Sequence, residues 1–210
     1  DPLGPQGSRV HVQRGGQESA FVLPIPGEAA ALDFVAALAA ADAALGSRLA
    51  DGSIASAMRR LEPAAGRLRP RRLKGGVCVL DDSYNANPAS VRAAFDALAE
   101  LGATRRVAVF GEMKELGSSA EAEHEKLGDD VARAGIALLV SCGGLADVTA
   151  RAAERRGVDV VLAGDALRAS AVAVERVRPG DVVLVKASRS VGAERVVDGL
   201  VAARGLEEGA

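Results

Sequence analysis

From about residue 77 onward, short β-rich runs alternate with stretches of helical periodicity. The runs are Val77 to Leu80, Arg106 to Phe110, Ala137 to Ser141, Val158 to Leu162 and Val183 to Lys186. Near-continuous apolar runs of this length, separated by helices, predict five parallel strands covered on both faces, and hence an α/β domain. After the first run, Val91, Ala94, Phe95, Leu98 and Leu101 recur at spacings of three and four, so a helix turns one stripe toward the sheet. Asn87 suits its N-cap and Pro88 its first turn. Ser118-x-x-Glu121 has the form of a capping box and predicts the start of the next helix. That helix carries Ala120, Leu127 and Val131 on its buried stripe and stops near Gly135. Later helices are predicted to bury Leu167, Ala171 and Val174, then Ala193, Val196, Val197 and Leu200.

The first 70 residues are patterned differently. Short alternating runs, Val10 to Val12 and Ala20 to Leu23, lead into a long Ala-rich helix from about Glu28 to Leu45 and a shorter one from about Ile54 to Leu61. Two short strands and two helices bury little surface alone, so this part is expected to be the tail of a larger domain. Glu62 to Gly76, punctuated by Pro63, Gly66, Pro70, Gly75 and Gly76, is predicted to be the linker.

Composition narrows the function classes. Hydrophobic residues are 49% and charged residues 26% of the chain, the balance of a folded domain with a sizeable core rather than a disordered segment. Aromatics are 2% with no Trp, so stacking platforms for single-stranded nucleic acid are nearly absent, and a net charge of −2 argues against wrapping a polyanion. The run Arg67, Arg69, Arg71, Arg72, Lys74 could serve a phosphate or be a solvated connector. Cys78 and Cys142 fall in apolar strand patterns, where a thiol acts as a small hydrophobe, and a reducing, cytoplasmic setting is expected. No apolar run reaches transmembrane length and the N-terminus has no secretory pattern, so no membrane partner is expected.

The candidate chemistry sits at strand ends. Asp81-Asp82-Ser83-Tyr84-Asn85-Ala86-Asn87-Pro88 follows the first strand, where open α/β sheets bind ligands. Asp82 could accept two hydrogen bonds. Tyr84, Asn85 and Asn87 supply a hydroxyl and two amides, although Asn87 as a cap and Asn85 as a turn former have purely local uses. After the last strand, Lys186, Ser188 and Arg189 place two cations and backbone N–H groups at the same edge. His124 has no second His or Cys nearby to suggest zinc, and a packed, hydrogen-bonded role suits it better than that of a base.

Gly66-Arg67, the octapeptide, Gly111-Glu112-Met113-Lys114-Glu115-Leu116-Gly117 and Val185-Lys186-Ala187-Ser188-Arg189-Ser190 together resemble the C-terminal part of the Mur ligase family of bacterial cell-wall synthesis. Within that family Asn85-Ala86-Asn87-Pro88 resembles the branch that joins D-Ala-D-Ala to a UDP-MurNAc-tripeptide. The resemblance implies an ATP-dependent amide ligase working through an acyl phosphate, in a cytoplasmic monomer. Residues 1–70 would be the end of the central ATPase domain plus linker, and 71–210 the Rossmann-like C-terminal domain. It further implies that Arg67 reaches the nucleotide from the hinge side and that Asp82 lies near the ribose. Tyr84, Asn85 and Asn87 would line the nucleotide, while Lys186, Ser188 and Arg189 would meet the incoming dipeptide. No residue is assigned a catalytic role with certainty. Mg²⁺ would be held by phosphates and the rest of the central domain.

Some positions depart from that pattern. The usual Gly of Lys-Gly-Ser-Arg is Ala187, whose Cβ resists positive φ, and Glu112 replaces the more usual Asp. The family string Gly-x-His-Asn-x-x-Asn becomes Gly27-Glu28-Ala29-Ala30-Ala31-Leu32-Asp33, so the adenine contacts of those amides are lost or moved: either Asp33 takes over part of the job, or this branch holds adenine differently. The phosphate-binding string G-x-x-x-x-G-K-[ST] is absent, so these 210 residues are expected to be a fragment without turnover of their own. Two alternatives stay open: another Mur-type or folylpolyglutamate ligase, and a non-catalytic α/β module that recognises a nucleotide or peptide.

Overall fold

The computed structural model describes residues 1–207. A two-residue turn at Gly15-Gly16, both at positive φ, joins strands β1 (Ser8–Arg14) and β2 (Gln17–Leu23) in an antiparallel hairpin. Helices α1 (Glu28–Leu45) and α2 (Asp51–Arg60) cover it. Val10, Val12, Phe21, Leu23, Phe34, Leu38 and Ile54 form this small core.

The rest is one six-stranded sheet in the order β3-β4-β8-β5-β6-β7. The strands are β3 (Arg69–Leu73), β4 (Val77–Asp82), β5 (Arg105–Phe110), β6 (Ile136–Ser141), β7 (Asp159–Leu162) and β8 (Asp181–Lys186). β4 through β8 run parallel, and β3 is antiparallel at the edge. Helices α3 (Pro88–Glu100), α4 (Ala120–Arg133) and α5 (Ala146–Glu154) cover one face. Helices α6 (Ala166–Arg176) and α7 (Glu194–Arg204) cover the other. Alternate residues of the central strands, Leu80, Ala108 and Leu184 against Val79, Val107 and Val183, enter the two cores. Burial on both sides explains why these strands read as continuous apolar runs. The chain leaves β4, passes over to β5, and returns last to β8 between them. The sheet order therefore reverses beside the C-terminal ends of β4, β8 and β5, where such folds open a crevice.

Four sequence expectations need correction. Part of the expected linker is strand β3, so the parallel set of five gains an antiparallel sixth; its basic alternation and Pro70 read as a connector because an edge strand has only one paired side. No side chain caps α4, because Ser118 lies in a 3₁₀ turn, Gly117–Ser119, and the helix begins at Ala120. The buried face of α6 is Ala166, Ala169, Ser170 and Ala173, whereas Leu167 is 65% exposed and Ala171 and Val174 are also exposed. The small alanine face went unread because size outweighed position in the pattern. Cys142 lies one residue past β6, though buried as expected.

Candidate functional site at the strand ends

The octapeptide begins inside β4 and turns immediately beyond it. Asp81 and Asp82, both buried, do not face outward as a ligand pair. Asp81 accepts the Ser83 hydroxyl at 2.6 Å and the Gly66 N–H at 3.1 Å; Asp82 accepts the Leu68 N–H at 3.2 Å. The two acids thus hold the residues on either side of Arg67. Tyr84 N–H donates to the Gly66 carbonyl at 3.1 Å, completing the attachment. Gly66 has φ +71°, and a Cβ there would lie 2.9 Å from the Tyr84 nitrogen and 3.0 Å from its Cβ. Only glycine fits that approach without displacement.

Lys186 ends β8, beside β4, and is 2% exposed. Its ammonium forms an ion pair with Asp82 and donates to the Asn85 carbonyl at 2.9 Å. Burial is the largest influence on Asp82 and pushes its carboxyl above the ordinary range, with the Lys186 charge pulling the other way. Ser188, also buried, accepts the Lys114 N–H at 2.8 Å, donates to the Ala86 carbonyl at 3.5 Å, and gives its own N–H to the Glu112 carbonyl at 3.1 Å. The crest after β5 and the octapeptide are therefore joined through one hydroxyl. Lys186 and Ser188 are internal braces, and no free N–H remains at Ser188 for a ligand. Ala187 has no positive φ; its methyl is buried and would lie 2.6 Å from any Cβ at position 111, so Gly111 supplies the space.

What faces outward is a different subset. Arg67, Tyr84, Asn85, Asn87 and Arg189 are all exposed. The Arg67 guanidinium stacks 4.3 Å from the centroid of the Tyr84 ring, and that of Arg189 lies 5.9 Å from the same centroid. Arg189 also sits 3.7 Å from Glu194. Asn87 caps α3 through a reciprocal box with Ser90, as its sequence position suggested. Asn85 accepts the Ala86 N–H at 2.9 Å with its side-chain oxygen, leaving its amide donors outward.

His124 is fully buried: its Nε2 accepts the Met113 N–H at 3.1 Å and its Nδ1 meets Thr149 Oγ1 at 2.9 Å. Burial lowers its pKa, and the neutral ring serves to fix the crest. Asp33 is exposed on α1. Clefts of about 470, 390 and 330 Å³ are lined by neither the octapeptide nor Arg189, the 390 Å³ cleft beginning at the adjoining Ser190. Sequence reasoning missed the bracing roles of Asp81, Gly66 and Leu68, because no local spacing signals a contact between segments 14 or 15 residues apart.

This geometry defines a doubly wound α/β domain whose braced crevice edge presents cations, amides and one aromatic ring. The Mur ligase, glutamate ligase domain profile matches residues 66–189. The chain belongs to the Mur ligase family. It is 40% identical over 191 residues to the UDP-N-acetylmuramoyl-tripeptide–D-alanyl-D-alanine ligase of Mycobacterium tuberculosis, covering 79% of this chain and 37% of that protein. A crystal structure of MurF from Acinetobacter baumannii matches with TM-score 0.81 and 29% identity, over 95% of this chain and 44% of the other. The MurF ligase of Thermotoga maritima in complex with ADP matches with TM-score 0.78 and 25% identity, over 94% and 44%. The chain thus spans less than half the length of these relatives, and it corresponds to their C-terminal portion.

Proposed function

We propose that this chain is the C-terminal part of an ATP-dependent ligase that joins D-Ala-D-Ala to a UDP-MurNAc-tripeptide, with residues 1–70 ending its central ATPase domain and 71–210 forming its Rossmann-like domain. The observation that carries the reading is the exposed set Arg67, Tyr84, Asn85, Asn87 and Arg189, gathered on one edge and fixed from beneath by Asp82 and Lys186. In this reaction the tripeptide carboxylate attacks the γ-phosphorus of ATP, and ADP leaves. The dipeptide amine then attacks the acyl carbon; the C–N bond forms, the C–O bond to phosphate breaks, and the amine proton passes to phosphate or water. Such chemistry depends on placement and on cations that offset phosphate charge.

Arg67 faces the nucleotide in this reading, its fork suited to two phosphate or ribose oxygens. Asp82 acts through the placement of Arg67, and Arg189 with the outward amides of Asn85 meets the substrates. Ser188 and Lys186 bear on the dipeptide only by holding the crest and the octapeptide together. Closure onto the rest of the central domain would bring this edge to the reacting groups. Among the described residues no three His, Cys, Asp or Glu groups converge as a metal site, so no step is assigned to Mg²⁺ on this chain. Likewise no described helix is long and apolar enough to cross a membrane. The test is ADP formation with both substrates: the full-length protein that contains this chain should ligate, and the 210 residues alone should not. Ligation by the chain alone, or nucleotide binding without any ligation by the full-length protein, would overturn the reading, the second outcome marking a binding module.

A further inference from the structure

Four of the chain's five aromatic residues are phenylalanines, and all four are buried. The fifth, Tyr84, is 44% exposed. It is the one exposed aromatic among the described residues, and it lies at the site with two guanidiniums within 6 Å of its ring centroid. An exposed tyrosine ring offers a π-face, and stacked arginines are a recurrent use of such a face.

The Arg67 side chain makes no hydrogen bond or ion pair among the described residues, while its backbone N–H donates to the Ala64 carbonyl at 3.2 Å; its position is set by the ring, by that bond and by the neighbours that Asp81 and Asp82 hold. Leu68, the next residue, takes φ +49°, a left-handed backbone that a leucine adopts only when its surroundings impose it. The loop is thus bent so that Arg67 leaves it toward Tyr84. Arg189 arrives from the other side of the sheet order, at the end of β8, and among the described residues its one ion-pair partner is Glu194 at a marginal 3.7 Å. The two distances place the guanidinium carbons no more than about 10 Å apart. Each can turn its donors outward while its flat face rests on the ring, because stacking uses the π-surface and leaves the N–H fork free.

We propose that Tyr84 is a positioning residue that holds Arg67 and Arg189 as one anion clamp, and that the pair grips a single polyphosphate rather than serving two separate ligands. This rests on the nucleotide-facing assignment of Arg67 and narrows the substrate-facing role of Arg189 to the same phosphate chain, in place of the dipeptide contact that the resemblance implies. The ring works through the arginines: it orders two flexible cations before the ligand arrives, and so reduces the entropy lost on binding.

The chain has one tyrosine and no tryptophan, so its intrinsic emission reports Tyr84 alone. The experiment titrates the 210-residue chain with inorganic pyrophosphate at constant ionic strength, following tyrosine fluorescence and, in parallel, heat. The expected result is a saturable emission change as the guanidiniums re-aim. Arg67→Ala and Arg189→Ala should each weaken pyrophosphate about tenfold, consistent with loss of a charge-assisted contact. By calorimetry Tyr84→Leu should weaken it about fivefold, the scale of two exposed cation–π contacts, and Tyr84→Phe should stay within about twofold because the π-face remains. A titration without saturation, an Arg189→Ala chain that binds like the parent, or a Tyr84→Leu chain that binds like Tyr84→Phe would overturn the clamp. Ligation by the full-length protein is read separately. Loss of the clamp with ligation intact refutes only this inference, whereas a clamp that binds pyrophosphate in a protein that never ligates refutes the proposed function.

Discussion

Lys186 and Asp82, 104 residues apart in sequence, form an ion pair at the adjoining C-terminal ends of β8 and β4, where both are buried. The pair sits directly beneath the outward residues: the same ammonium holds the Asn85 carbonyl, and the same carboxylate holds the N–H that follows Arg67. A charge taken out of water must be matched, and here each partner is matched by the other and by backbone groups.

Removing one partner should therefore be costly. Lys186→Met leaves Asp82 buried without its cation and is expected to cost about 3 kcal/mol, at the low end for a broken buried pair because the carboxyl can take up a proton. With the cation gone, burial and the neighbouring Asp81 both raise the Asp82 pKa. A folded-state pKa above the unfolded value of 3.8 means that the folded chain binds more protons in the window above 3.8. The variant should therefore gain stability as pH falls from neutral toward 4, relative to the parent. Urea unfolding of both proteins across that range checks the sign; parallel curves would contradict it.

Gly66→Ala should do damage out of proportion to one methyl group. The new Cβ meets the Tyr84 backbone nitrogen, which cannot move aside as a flexible side chain could, and the φ of +71° is itself strained for alanine. A loss of about 1–3 kcal/mol is expected. Thermal unfolding measures that loss, and the tyrosine emission should change with it because Arg67 leaves the ring. Unaltered stability and emission would show that the loop does not need this approach.

His124 predicts a separate pH effect. Burial depresses its pKa below the ordinary 6.5, so the unfolded chain binds the extra proton first as pH falls below that value. The stability contributed by the neutral ring is complete above pH 6.5 and is lost progressively as pH falls toward the lowered folded-state pKa. His124→Leu should remove this slope and cost about 2 kcal/mol at neutral pH, since the buried Met113 N–H loses its acceptor, while the Thr149 hydroxyl keeps its bond to the backbone carbonyl of residue 124. Stability curves between pH 7.5 and 5, compared for the two proteins, give the answer directly; an unchanged slope would place the titrating group elsewhere.

Both thiols should be inert in the folded chain. Burial pushes Cys78 up to about 11 and Cys142 up to about 12, so neither carries appreciable thiolate at neutral pH. A disulfide-exchange reagent should label them only as fast as the protein unfolds, and rapid native-state labelling would contradict the burial.

The parallel sheet was legible because strands buried on both faces must be apolar throughout, and Val77 to Leu80 and Val183 to Lys186 could hardly be anything else. The Asn87-Pro88 start of α3 was equally plain, since capping is a local matter. Arg69–Leu73 was not legible as a strand, because an edge strand with one paired side shows no apolar run. The site was half legible. The residues that gather at the edge are those the motifs contain, but the division between them depends on contacts across the sheet. Asp82, Lys186 and Ser188 look like ligand groups in sequence and turn inward in the fold, whereas Arg67, Tyr84 and Arg189 face out. Charge at a strand end says that a site is near; only burial says which residues brace it.

The most direct measurement is phosphate release by the full-length protein with ATP, a UDP-MurNAc-tripeptide and D-Ala-D-Ala, compared for Asn85→Ala and Arg189→Ala. Both residues are exposed, so neither substitution should disturb folding. We expect kcat/KM to fall at least about tenfold in each, equivalent to about 1.4 kcal/mol of transition-state stabilisation. Activity within about twofold of the parent in both variants would contradict the claim that this strand-end edge is where the chemistry is served.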